Sequence, residues 1–194
     1  RPPLRTPFYS SAASMCLRDS LVIALCIASL PTFACNDASH QTQRKITVDM
    51  IDLNSNKLAG KVVITETEFG AVFTPDLTGL DTGAHGFHIH SNPSCHSAVI
   101  NGKAVKAGAA GGHYDPYGAG KHGLPWAINS HLGDLPTLHV DIDGNIEHPV
   151  LAPRIKLHEI RNRALIIDSL GDNHSDLPTL SNADNKRVIC GIIK

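Results

Sequence analysis

An antiparallel β-sandwich or barrel is the fold class this sequence predicts, on three observations. Its apolar residues fall in short runs, several alternating with polar ones, and turn residues separate them. The chain carries 16 glycines and 12 prolines, which suits a loop-rich β protein better than a helical bundle. Only one short stretch has helical spacing. With 194 residues, 42% hydrophobic and 18% charged, the composition is that of one globular domain able to bury a core.

The elements follow in order. Residues 36–44 are polar and read as a short flexible lead. From Lys45 to Ile51 apolar and polar residues alternate, the pattern of a half-buried strand. Asn54 to Asn56 is a turn, Leu58 to Thr67 a second strand, and Ala71 to Thr74 a third that Pro75 should stop. Gly86 to His90 is a short strand. Thr137 to Ile142 alternates up to the Asp143-Gly144 turn. Between Lys156 and Ala164, the spacing of Leu157, Ile160 and Ala164 predicts one or two helical turns. Ala164 to Asp168 and Arg187 to Ile193 complete the strands. Ser91 to Gly133 and Ser169 to Lys186 have no regular pattern, and loops that long are usually functional.

The beginning reads differently. Leu21 to Leu30 is an apolar run preceded by Arg18 and followed by Pro31, too short to cross a bilayer but of the length of a secretory h-region. A buried core helix is the alternative; the flanking charge and the proline favour export. Thr32-Phe33-Ala34 fits a cleavage signal, and Cys35 after it also permits a lipid anchor, although Phe33 suits a lipobox poorly. Met15 is the first methionine, so residues 1–14 are either upstream sequence or a longer leader. Removing residues 1–35 takes the 17 basic and 18 acidic residues to 14 and 17, a net charge of about −3. No basic patch points to nucleic acid, and no second hydrophobic span points to a membrane domain. Small molecules or ions are the expected partners. After that removal Cys95 and Cys190 remain, and two cysteines in an exported chain suggest one disulfide rather than two buried thiols.

The chemistry-bearing residues are histidines. His85, His88 and His90 sit in one run, His113, His122 and His131 follow at intervals of nine, and Asp134 comes three later. Imidazole suits copper and zinc, and three nitrogens with one carboxylate oxygen make a closed zinc site. Side chains alternate along a strand, so His88 and His90 share a face while His85 projects oppositely and is the poorer ligand candidate. Each histidine by itself could be an ordinary loop residue; the set at these spacings argues for metal. His40, His96, His139, His148 and His158 read as surface residues, and Trp126 as a packing residue, a cover for the site or a subunit contact.

These pieces resemble a known family, the copper–zinc superoxide dismutases, and in particular their exported bacterial branch. The resemblance rests on His85-Gly86-Phe87-His88-Ile89-His90, Cys95, Gly111-Gly112-His113-Tyr114-Asp115-Pro116, Lys121-His122, His131 to Pro136, Ala152-Pro153-Arg154, Gly171-Asp172-Asn173 and Arg187 to Gly191. It runs from about residue 45 to the C-terminus. It implies a Greek-key, immunoglobulin-like sandwich with long metal-binding and electrostatic loops. It implies copper on His88, His90 and His113, zinc on His113, His122, His131 and Asp134, and His113 as the bridge. Cys95 and Cys190 would form the disulfide. Asp172 would link a copper ligand, His90, to a zinc ligand, His122, fixing ring orientation. Arg187 would attract the superoxide anion at the mouth of the copper channel. The periplasm would be the location, and both monomer and homodimer fit the branch.

One position departs from the family: Asp168 stands where a fourth copper histidine is expected. A carboxylate is a harder ligand than imidazole and would hold Cu(I) poorly. His174, six residues on, is a remote substitute. The sequence therefore supports two functions: dismutation of superoxide to dioxygen and hydrogen peroxide, or a zinc-stabilised metal-binding module with little turnover.

Overall fold

The computed structural model describes residues 44–177 and 185–194. The expectations for the leader, for Cys35 and for His40 lie outside those residues. Twelve strands and one short helix appear among the described residues, and the architecture is the all-β, antiparallel Greek-key sandwich or barrel the sequence predicts. The strands are β1 Lys45–Asp52, β2 Leu58–Thr67, β3 Gly70–Thr78, β4 Gly83–His85, β5 Phe87–His90, β6 Ala98–Ile100 and β7 Lys103–Val105. After a 3-10 turn at Gly108–Ala110 come β8 Leu138–Val140, β9 Asn145–Ile146 and β10 Val150–Ala152. The helix α1 Leu157–Ile160, then β11 Arg163–Asp168 and β12 Arg187–Ile193, complete the order.

Alternation builds the sheet. In β1 exposed and buried residues alternate from Lys45 to Met50, so Ile46, Val48 and Met50 enter the core. The main sheet runs β10-β3-β2-β1-β12-β11-β5, with β9 beside β3, and all its pairings are antiparallel. The core joins Val62, Ile64, Leu165, Ile167 and Ile189 with Leu132 and Leu135 from the long loop. Phe73 and Phe87 meet edge to face at its centre, ring centroids 5.5 Å apart. The long loop is thus anchored by apolar side chains of its own.

Two expectations about elements need correction. Pro75 does not stop β3, which continues to Thr78. It falls between residues 71–73, paired with β10, and residues 77–78, paired with β9, where that edge has a gap and a missing N–H costs no ladder bond. The helix is the single turn that one or two turns allowed for, and Ala164 opens the expected strand, pairing in β11 with Ile192 and His90. The stretch from Ser91 to Gly133 is not patternless, since β6 and β7 form a hairpin within it. Asn101 and Gly102 at its tip both have positive φ, 50° and 77°, the backbone a tight two-residue hairpin requires. No helix among the described residues is long and apolar enough to cross a membrane.

Candidate metal centre

Strand β5 and the long loop build the site together. Tyr114 N–H donates to Ile89 O, Ile89 N–H donates to Gly133 O, and Gly133 N–H donates to Tyr114 O, at 2.8, 2.9 and 2.8 Å. Two isolated bridges result, one setting Asp134 opposite His88 and the other His113 opposite His90. Gly133 is the residue that allows this approach. A side chain there would overlap Ile89 O and come within 2.8 Å of Tyr114 N.

Three clusters of candidate ligand atoms follow: His113, His122, His131 and Asp134; His88, His90 and His113; and His88, His122 and Asp172. In the first, the Nδ1 atoms of His113, His122 and His131 lie 2.8, 2.9 and 3.5 Å from Asp134 Oδ1. The edges of a tetrahedron with bonds of roughly 2.0 Å are about 3.3 Å, so the donor set fits zinc. His113 belongs to the first cluster and the second.

Hydrogen bonds decide which nitrogens are free. A carboxylate only accepts, so His88 Nε2 and His122 Nε2 carry protons and donate to Asp172, at 2.8 and 2.7 Å. His90 Nδ1 donates to Gly111 O at 2.9 Å. This leaves His88 Nδ1 and His90 Nε2 buried without hydrogen-bond partners, as is His131 Nδ1 in the other cluster. Buried polar atoms are rarely left so, and unpaired imidazole nitrogens facing one another fit metal ions.

Asp172 links His122 to His88, and not to His90 as expected from the sequence. Strand alternation puts both rings on one face but does not say which nitrogen each turns outward. His90 is turned by its bond to Gly111, away from Asp172. The carboxylate also accepts the His174 backbone N–H at 2.8 Å. His174 lies over the His122 ring, centroids 6.2 Å apart, on the zinc side and not at the copper cluster.

The charges reflect this geometry in the metal-free protein. Burial pulls His88 down, but the Asp168 and Asp172 carboxylates raise it to about 9. For His122 burial is likewise overcome, by Asp134 and Asp172, and the ring is raised to about 10. Burial and the His88 charge push His113 down to about 4, and burial with the His113 charge takes His90 well below its ordinary value. Burial opposes ionisation of Asp134 and Asp172, yet the adjoining imidazoles hold both well below the usual carboxylate range.

Asp168 ends β11 with its carboxylate Oδ2 3.1 Å from His88 Nδ1, off the line of a hydrogen bond, and it is not a member of the three-imidazole cluster. Its backbone carbonyl accepts a bond from His85 Nδ1 at 2.7 Å, while His85 Nε2 lies 2.8 Å from Asp81 O. His85 therefore braces the strand end and does not face the metal clusters. Arg187 donates to Ala107 O and Gly111 O at 2.7 and 2.9 Å. The disulfide between Cys95 and Cys190 joins the long loop to β12, three residues from Arg187.

The copper/zinc superoxide dismutase (SODC) family model matches residues 30–193. The chain belongs to the copper/zinc superoxide dismutase family. It is 48% identical to the Cu-Zn superoxide dismutase of Pasteurella multocida over 165 residues, covering 80% of this chain and 89% of that one. The solved Cu/Zn superoxide dismutase from Brucella abortus is similar, with TM-score 0.73, 41% identity, and coverage of 78% of this chain and all of that one. The monomeric copper, zinc enzyme from Salmonella enterica follows, with TM-score 0.67, 46% identity and the same coverage.

Some residues of this superoxide dismutase fold give little signal in the sequence. His174 suggests itself there only as a copper substitute. Asp176, whose carboxylate accepts the His122 backbone N–H at 3.0 Å, carries no signal beyond its place in the loop. Trp126 is 61% exposed and does not pack, with Ile128 and Leu124 also exposed on the same loop.

Proposed function

We infer that this chain dismutates superoxide, converting two superoxide anions and two protons to dioxygen and hydrogen peroxide, with copper and zinc as its cofactors. One observation carries the reading: His113 is shared by two adjoining clusters of imidazoles, one of which includes Asp134. His88, His90 and His113 would hold copper. His113, His122, His131 and Asp134 would hold zinc. Copper held there would supply one-electron chemistry through its +2 and +1 states, oxidising one superoxide anion and reducing the next.

The chain's own residues do the rest. Arg187, its guanidinium fixed by two carbonyls, presents a permanent positive charge to an approaching anion. Asp172, accepting from Nε2 of His88 and of His122, turns Nδ1 of each ring toward the metal clusters and would hold the neutral, metal-bound rings in the Nε2–H tautomer. His113 takes a proton on the nitrogen turned away from Asp134 and passes it to the departing peroxide. The alternative, a zinc-stabilised module with little turnover, has only Asp168 in its favour. Metal analysis paired with a superoxide assay tests the two. One copper and one zinc per chain with rapid dismutation supports the enzyme; full copper occupancy with no dismutation removes it.

Residues 1–35 are proposed as a leader directing the chain to the periplasm, cleaved or lipid-anchored at Cys35, with 36–44 as a lead and 45–194 as the enzyme domain. The apolar segment at 21–30 supports this, and fractionation with N-terminal sequencing of the mature protein tests it. The exposed Trp126 and Ile128 support a homodimer contact, which light scattering after gel filtration would check.

A further inference from the structure

Asp168 is a buried acidic side chain at the edge of the copper cluster. It is 8% exposed, and among the described residues no N–H or O–H donates a hydrogen bond to its carboxylate. Its cross-strand neighbour is Arg187, but that guanidinium directs its N–H groups to Ala107 O and Gly111 O. Gly86, between β4 and β5, leaves room for the side chain, since a Cβ added there would lie 3.1 Å from Asp168 Oδ2. What it does touch is His88 Nδ1, at 3.1 Å. With Nε2 donating to Asp172, Nδ1 is the atom His88 can offer to a metal ion.

A buried charge costs a great deal unless a counter-charge lies beside it, and once His88 Nδ1 is given to a metal ion that ion is the counter-charge. The ion would be held in the space facing His88 Nδ1, between three imidazoles that as metal ligands are neutral and supply no charge themselves. Imidazole accommodates both oxidation states of copper, so the nitrogens discriminate weakly, whereas a fixed anion discriminates by charge. We propose that Asp168 sets the oxidation-state preference of this pocket, favouring Cu(II) over Cu(I) as a charged neighbour and not as a fourth member of the donor set. The inference rests on the reading of His88, His90 and His113 as the copper site. It makes Asp168 a determinant of how tightly the resting, oxidised ion is kept and how easily the reduced ion is lost.

The test uses zinc-loaded full-length protein and the variants Asp168→Asn and Asp168→His. Cu(II) and Cu(I) affinities are measured separately by competition with chromophoric chelators, and Cu(II) spectra are recorded by electron paramagnetic resonance. Asp168→Asn keeps the shape and removes the charge. It should weaken Cu(II) binding about tenfold or more, the order expected of one charge a few ångströms away in a protein interior, and leave Cu(I) within about threefold. Asp168→His should strengthen Cu(I). The nitrogen hyperfine pattern should match between the natural protein and Asp168→Asn. Equal losses for both ions, unchanged Cu(II) affinity, or spectra showing an oxygen ligand lost in Asp168→Asn would each overturn the proposal. If the natural protein dismutates superoxide and only these comparisons fail, the assignment of Asp168 alone is wrong. If it takes no copper on nitrogen ligands, the copper site itself is wrong as well.

Discussion

His88 stands opposite Asp134 across an isolated antiparallel bridge, so one residue of the proposed copper set and one of the proposed zinc set share a backbone contact. The bridge exists because the loop crosses β5 at Gly133. Replacing Gly133 with alanine puts a methyl group onto Ile89 O and Tyr114 N. The expected outcome is a loss of about 2–4 kcal/mol in stability, by analogy with other overpacked sites, together with poor zinc retention. Thermal unfolding and zinc analysis of Gly133→Ala check this; normal values for both would refute the close approach.

Asp172 receives the Nε2 protons of both His88 and His122. Asp172→Ala should lower zinc affinity about 10–100-fold by freeing the rings to rotate and change tautomer. Competition titration with a chromophoric chelator measures it, and an unchanged constant would mean the linkage has no role in metal binding.

Zinc binding should depend steeply on pH. In the metal-free protein His122 is raised to about 10 and His88 to about 9, so both rings are charged at neutral pH. Their contribution to metal-free stability is complete below about 6.5, their unfolded value, and is lost as pH rises through 9 to 10. Zinc must displace the His122 proton, so its affinity rises with pH over the same window. The gap in Tm between zinc-loaded and metal-free protein should widen from about pH 6 to 9. A gap that narrows would contradict a protonated His122 in the metal-free protein.

Arg187 is held by two carbonyls, one on each side of its planar fork. Lysine cannot reproduce that arrangement. Arg187→Lys should lower kcat/KM for superoxide about tenfold, and Arg187→Ala further, with a weaker dependence on ionic strength in both. Rate measurements across salt concentrations decide it; an unchanged salt dependence in Arg187→Ala would exclude steering by this residue.

The disulfide spans 95 positions. Breaking it by Cys95→Ser should cost about 4–5 kcal/mol in the chain-entropy description, less any strain released. Denaturant unfolding of the variant, metal-free in both cases, measures the loss.

Much of this is legible in the sequence, and the failures have physical reasons. The ends of β2 and β12 can be read directly, because their apolar runs are bounded by turn residues and charge. The histidine set is readable because so many imidazoles at loop spacings have little purpose apart from metal. Which nitrogen each ring exposes is not, since Asp172 and Gly111 set that through contacts distant along the chain. Asn101-Gly102 is a hairpin signal that the surrounding loop composition masks. Pro75 misleads because a gap in the neighbouring strands cannot be inferred from one strand alone.

Because the His113 ring counts in both donor sets, the two ions are not independent tenants. A binding constant measured for either one depends on whether the other is present, and each ion must change the other's affinity by the same factor.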